Sequence, residues 1–382
     1  MPFRPSPPRP RASLRARGWP RLLAALLLSL LATPAAGEER VRIGVASGLA
    51  SVKVAGPGLS ATALRDGAEA RPGAGDRAEV RLDGDELLLD GAPLEGAGVT
   101  FTAGGPIRCL GRLLSGEVEV RRGEGGLTVI DALPLEDYVS AVTGAEMPSN
   151  FPLEALEAQA VAARSYALSR KLEAVEEGRD YDLGASVLSQ VYPGQDVDPR
   201  ARAAAAATAG EVLVKDRRPI EAYFHSACGG RTERGLDALG RDLPYLASVE
   251  CWHCGASPKA SWRVHLAAGE VARLAGLPGR ASGLRIAERT RAGRASRVEV
   301  TAGQRRARFT AVELRRRLGY ERLPSLWFSA RAEGDGFLLE GRGSGHGAGL
   351  CQWGAAGWAR AGAGHREILR RYYPGTEIVK MY

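Results

Sequence analysis

The chain has 382 residues, a formal net charge of +8, 45% hydrophobic residues and 25% charged ones. Six arginines and no acid lie in the first 36 residues, so the rest carries +8 − 6 = +2, and no remaining basic stripe is interleaved with aromatics. That excludes a nucleic-acid partner. No heptad array or internal repeat occurs, and the remaining 346 or so residues suffice for one large domain plus a smaller one.

The arginine-rich start runs into an apolar stretch from Leu22 to Leu31 and then into small residues from Ala32 to Ala36. This is the layout of a secretory signal peptide over 1–36. The apolar stretch is short of the roughly 20 residues needed to cross a bilayer. Export across the cytoplasmic membrane is therefore expected, to a periplasmic or extracellular, cell-wall-associated location, with an uncleaved N-terminal anchor as the alternative.

From residue 38 to 126 the text becomes short alternating runs: VRIGVA, SVKVAG, AEVRLDG, DELLLDG and EVEVRRG. Period-2 alternation predicts strands, and the Asp-Gly pairs at Asp83 and Asp90 predict hairpin turns. This region reads as a structural β layer shielding the C-terminal domain, with a wall-binding or docking subdomain as the alternative. Residues 127–382 mix helical and strand-like runs, so the expected fold class is α+β, with a mainly β N-terminal region and a helical and β C-terminal domain.

The second region opens with two predicted helices and an elbow. Leu135, Tyr138, Val139 and Val142 fall at helical spacing behind Pro134, which suits a first turn. Gly144 is expected to end that helix. A second helix begins near Pro152 and buries Leu153, Leu156, Ala160, Ala163 and Ala167. Glu146 stands on the elbow, with Pro148 restricting Met147 and with Ala145, Met147 and Phe151 nearby. Partial burial favours a neutral carboxylic acid, the form that a general acid needs. Arg164 lies about 100° from Ala163, at the edge of the buried stripe, where a guanidinium can reach a carboxylate or sugar oxygens.

Further along, residues 200–209 predict an alanine-rich helix stopped by Gly210, followed by a strand from Glu211 to Val214. Residues 221–233 run a strand into a Gly-Gly turn and present Tyr223, His225 and Ser226. Five cysteines are present: Cys109, Cys228, Cys251, Cys254 and Cys351. In an exported chain Cys228 is expected to pair with Cys251 or Cys254 as a disulfide. A zinc site on Cys228, Cys251 and Cys254, with His253 or His225 as fourth ligand, is the alternative. Residues 262–340 read as scaffold, with helices over 269–274 and 310–318, the latter behind a Thr310/Glu313 capping box. Five glycines between Gly341 and Gly349 surround His346 on a loop, and Gln352 and Trp353 come next.

Several of these stretches together resemble one family. LPLEDYV, GAEMP and EALEAQAVAARSYAL near the start of the second region, and GRGSGHGAGLCQWGAAGWARAGAGHREILRRYYPGTEI at the end, are similar to the two signature segments of the SpoIID/LytB family of bacterial sporulation and cell-wall proteins. QVYPGQ, AYFHSACGGRTE and PYLASV fit between them, so the resemblance covers roughly 127–382. It implies a lytic transglycosylase that cuts the MurNAc–GlcNAc bond of peptidoglycan and leaves 1,6-anhydroMurNAc ends. Glu146 is the implied catalytic residue. Arg164, Gln190, Tyr192, Tyr223, His225, Ser226, His346 and Gln352 are the implied substrate-binding set. Some family members bind zinc just before the residue matching Gln190, where this chain has Leu188 and Ser189, so no metal is expected there. Relatives of the LytB type enhance a cell-wall amidase. The competing reading is therefore a non-catalytic, peptidoglycan-binding enhancer with an amidase partner.

Overall fold

Alternation in the N-terminal runs sends one set of side chains inward and the other to solvent. In Ser51–Ala55, Val52 and Val54 are buried while Ser51 and Lys53 are exposed. The structure, a computed structural model, describes residues 38–64, 69–70, 75–185, 192–194 and 197–382. The expected signal peptide lies outside them, as do Leu188, Ser189 and Gln190.

The N-terminal strands form two sheets over a shared apolar core. In the first, Arg40–Leu49 pairs antiparallel with Gly126–Pro134, which pairs in turn with Glu117–Gly123, and Gly98–Thr102 lies next to that. In the second, Ser51–Ala55 lies between Ile107–Cys109 and Arg77–Asp83, with Glu86–Leu89 beyond. The second predicted turn is a tight hairpin: Asp90 and Gly91 both have positive φ, 50° and 84°. That left-handed pair matches the twist of the flanking strands.

Among the described residues, eight helices follow: α1 (Leu135–Glu146), α2 (Leu153–Glu177), α3 (Pro199–Ala207), α4 (Gly235–Leu239), α5 (Ala268–Leu274), α6 (Ala311–Leu318), α7 (Gln352–Arg360) and α8 (His365–Tyr372). Pro134 and Pro152 precede α1 and α2 in extended conformation. Asp198 caps α3 by accepting from the N–H groups of Arg200 and Ala201, and the Thr310/Glu313 capping box closes the start of α6 in both directions. Gly178 ends α2 in the left-handed conformation, φ 65°.

α2 is the central post. Its 25 residues are buried continuously from Ala155 to Leu168, all round the helix. Ala160, Ala163 and Ala167 belong to the core shared with the sheets, whereas Ala155, Leu156 and Ala162 belong to a second core with α7 and α8. Alanine on every side is what lets α1, α3, α7, α8 and the strand Glu211–Lys215 all approach it. The expected single stripe is therefore corrected: Leu153 is 40% exposed, and the helix has no polar face through its middle.

Two further expectations change. α1 continues through Gly144 to Glu146, with Met147 as C-cap, because the Met147 N–H still finds the carbonyl of Thr143. The boundary expected between residues 126 and 127 falls at the start of Gly126–Pro134, a strand that pairs with Arg40–Leu49 on one edge and Glu117–Gly123 on the other, so the C-terminal region begins within the first sheet. Residues 262–340 form two three-stranded sheets with α5 and α6 around a third core that includes Leu266, Val298, Leu314 and Leu339. The first and last strands of that segment, Trp262–Ala267 and Gly336–Gly341, pair with each other.

Candidate active site

Where the end of α1 meets this third unit, the surface folds into a cavity of about 830 Å³. Its wall includes Glu146, Tyr166 of α2, Tyr223, His346, Glu233 and Arg294. Glu146 is half-buried on the last turn of α1, flanked by buried Met147 and Phe151. The ring of Trp353 packs edge-on against Phe151 at 4.8 Å, closing the apolar side. Nε2 of Gln352 lies 3.5 Å from Oε2 of Glu146 and 3.4 Å from Oε1 of Gln159. Gln352 is 5% exposed and does not line the cavity, so it reaches the carboxyl from behind rather than facing a ligand.

Tyr223 and Tyr166 meet edge to face at 5.3 Å and present an aromatic surface to the cavity. The Tyr223 hydroxyl donates to Glu221, which fixes its ring. His346 is held at both nitrogens: the Ala348 N–H donates to Nδ1 at 3.1 Å, so Nε2 carries the proton and donates to the Phe224 carbonyl at 2.8 Å. Burial pushes its pKa down, only partly offset by the Phe224 bond, to about 4. His346 thus lines the cavity as a neutral ring with no nitrogen free.

His225 lies behind it, 4% exposed, with ring centres 5.5 Å apart. Its Nδ1–H donates to the Ala348 carbonyl, and burial holds its pKa well below the ordinary range. It does not reach the cavity. Ser226 is half-buried and also stands off the cavity wall, its carbonyl accepting from Trp353.

Two expected site residues lie elsewhere. Tyr192 is 2% exposed, donates to Asp131 at 2.6 Å and stacks on Tyr138. It is part of the β core under α1. Arg164 is fully buried: Nε and Nη2 make a two-pronged bond to the Glu136 carboxylate, while Nη1 and Nη2 donate to the carbonyls of Glu211 and Ala205. Because α2 has neighbours on all sides, the edge of its stripe faces α3 and the strand after it, and the guanidinium is spent there. Arg164 is a scaffold residue.

The segment read as scaffold contributes the far wall. Thr290, Arg294, Thr310, Arg315 and Tyr320 all face the cavity. Arg294 is 3% exposed, donates to the carbonyls of Cys228 and Arg231, and lies 3.7 Å from Glu233. Glu233, 1% exposed, also accepts from Thr290 at 2.6 Å. Glu233, Asp237 and Glu321 give the cavity further carboxylates that the motifs did not single out, although Glu233 is taken up by Thr290 and Arg294. No local pattern marks these residues, because the cavity forms only when the third unit packs beside α1. No disulfide links the five cysteines in this structure, and the sulfurs of Cys228 and Cys254, one of the expected pairs, lie 3.6 Å apart.

Fold and cavity together define a mixed α+β protein with an aromatic-walled cleft around a carboxyl at a helix end. Comparison with known proteins makes this specific. The model of the SpoIID family, stage II sporulation protein, matches residues 123–214, from the paired strand through α1, α2 and α3. The chain is 34% identical over 258 residues to an uncharacterised protein of Brachyspira hyodysenteriae, covering 66% of this chain and 68% of that one. It is 31% identical over 265 residues to stage II sporulation protein D of Bacillus subtilis, covering 65% and 75% respectively. An amidase enhancer of Bacillus subtilis is 27% identical over 282 residues, 61% of this chain and 39% of that protein. The chain belongs to the SpoIID/LytB family.

Proposed function

We propose that this protein is a lytic transglycosylase acting on peptidoglycan glycan strands during cell-wall remodelling, with Glu146 as its acid and base. The observation that carries the reading is the placement of Glu146: half-buried in the wall of an 830 Å³ cavity, beside Tyr166 and Tyr223. That volume is in the upper range for ligand clefts, and aromatic faces suit the apolar faces of sugar rings.

In the proposed reaction the Glu146 O–H protonates the oxygen of the MurNAc–GlcNAc bond as the C1–O bond breaks. The resulting carboxylate then takes the proton of the MurNAc 6-hydroxyl, whose oxygen attacks C1 to close the 1,6-anhydro ring. No water is consumed, and Glu146 ends protonated as it began. A hydrolase of the usual kind would need a second carboxyl as nucleophile or base. Glu233, the most buried candidate in this cavity, already accepts from Thr290 and is ion-paired with Arg294 at 3.7 Å. Gln352 orients the acid from behind, and Tyr223 and His346 shape the cleft.

A second reading is supported by the similarity to an amidase enhancer. There the same cleft holds glycan without turnover and the protein works with a cell-wall amidase. Incubating purified glycan strands with the protein and weighing the new ends separates the two. Anhydro ends support the lyase; binding with no new ends supports the enhancer. We further propose that the protein acts after export, as the N-terminal 36 residues suggest. Among the described residues no helix is long and apolar enough to cross a membrane.

A further inference from the structure

Beside the cleft, four cysteines from three distant parts of the chain converge. The sulfurs of Cys228, Cys251, Cys254 and Cys351 all lie within 4.8 Å of one another, and all four residues are buried. We propose that they form a structural tetrathiolate zinc site, with Cys351 completing the set. This inference is independent of the catalytic reading.

The donor geometry fits. A tetrahedral zinc with bonds of about 2.3 Å separates its sulfurs by about 3.8 Å. The Cys228 and Cys254 sulfurs are 3.6 Å apart. Four thiolates fill a tetrahedron and leave no open position, which is the mark of a structural site rather than a catalytic one.

Each ligand arrives on a turn that points its sulfur inward. Cys228 precedes Gly229 and Gly230, both at positive φ, and the Gly230 N–H turns back toward the Cys228 sulfur at 3.4 Å. Cys251 and Cys254 flank a two-residue knuckle. Cys351 is the N-cap of α7, its sulfur accepting from the Gly354 N–H at 3.3 Å and from the Cys228 N–H at 3.2 Å. The Tyr372 hydroxyl lies 3.1 Å from the Cys251 sulfur. Such N–H and O–H groups around sulfur are what a thiolate ligand set uses to spread its charge. Arg294 adds a buried cation next to the carbonyl of Cys228.

A second observation points the same way. A Cβ on Gly354 would stand 2.5 Å from the Cys251 sulfur and 2.1 Å from the Tyr372 oxygen. The first turn of α7 is thus pressed onto the cluster at a residue without a side chain. Neither histidine considered as a fourth ligand belongs to this set of mutually close donor atoms, which the four sulfurs complete. His253 packs on Trp358 at 4.1 Å, and His225 uses Nδ1 on Ala348.

The consequence concerns the cleft. Phe224–His225 pairs in parallel with Leu350–Cys351, so the metal would tie the strand leading to Cys228, the 251–254 knuckle and the start of α7 together. Gln352, the residue behind Glu146, is the next residue after a ligand. The site would hold that amide in place.

Elemental analysis of the purified, full-length protein, with alkylation under denaturing, non-reducing conditions, tests the proposal. One zinc per chain and every cysteine alkylated after chelation are expected. Cobalt supplied in place of zinc should give the visible bands of tetrahedral thiolate coordination. Cys351→Ser should lose the metal, whereas Cys109→Ser, in the β core, and His365→Ala, in the separate Glu154/Glu157/His365 cluster, should keep it. If Cys351→Ser fails to fold, a fall in melting temperature of the wild type on chelation, reversed by zinc, carries the same information. Disulfides within the cluster and no zinc, zinc lost with His365→Ala, or a metal-free protein with free thiols and an unchanged melting temperature would each overturn it.

Discussion

The side-chain amide of Gln352, at the start of α7, lies 3.5 Å from Oε2 of Glu146, at the end of α1, across 206 residues of sequence. The two signature segments of the family meet at this contact. Gln352 has a second buried partner in Gln159, so its orientation is set by α2 as well as by the acid.

Glu146→Gln should abolish the release of anhydro ends and leave folding and glycan binding nearly unchanged. Gln keeps the shape and loses only the proton chemistry, and a general acid contributes about 10²- to 10⁴-fold. Mass analysis of digested strands checks this. Release at the wild-type rate would remove Glu146 from the mechanism.

Gln352→Glu should move the pH profile of cleavage to higher pH. Two carboxyls sharing one site cannot both ionise easily, so one keeps its proton to a higher pH. Gln352→Ala should lower both rate and stability, because the buried Gln159 amide loses its partner at a cost of about 1–3 kcal/mol. A residue with only a packing role would change stability in both variants and the pH profile in neither.

Arg164→Ala should destabilise the fold by about 1–3 kcal/mol or more, the cost of leaving a buried acceptor such as the Ala205 carbonyl without its donor, while the partly exposed Glu136 keeps Gly210 and Tyr382 as partners. Burial pushes the Glu136 carboxyl up, but the hydrogen bonds and charge of Arg164 outweigh this and hold it below the ordinary range. That part of the stability is complete above the unfolded carboxyl pKa and is lost as pH falls through the folded one. Denaturant titration of Arg164→Ala and Arg164→Lys checks the claim. A stable Arg164→Lys protein that binds glycan poorly would return the residue to the cleft.

Melting temperature should fall as pH drops from about 6.5 toward about 4. In that window the unfolded chain protonates His225 and His346 while the folded one resists, since burial depresses both. Above the window both are neutral in either state and contribute no slope. A double variant, His225→Phe with His346→Gln, should show a flatter profile. An unchanged slope would assign the pH dependence to other groups.

Local pattern was enough for much of this protein. Alternation specified the N-terminal strands, Asp90-Gly91 their tight turn, prolines and the Thr310/Glu313 box the helix starts, and two long motifs the family. Each of these rests on interactions between residues close in sequence, which a one-dimensional reading contains. What a side chain faces on a helix buried all round is not such a quantity. The helix period placed Arg164 beside a core without saying that Glu136 and the carbonyls of Ala205 and Glu211 would enclose it. Nor could spacing bring Cys351 to a sulfur cluster 97 residues away from Cys254, or carry Arg294 from a separate core to the wall around Glu146. Those juxtapositions were decided by tertiary packing, because they join residues from different apolar cores and distant parts of the sequence, which no local pattern contains.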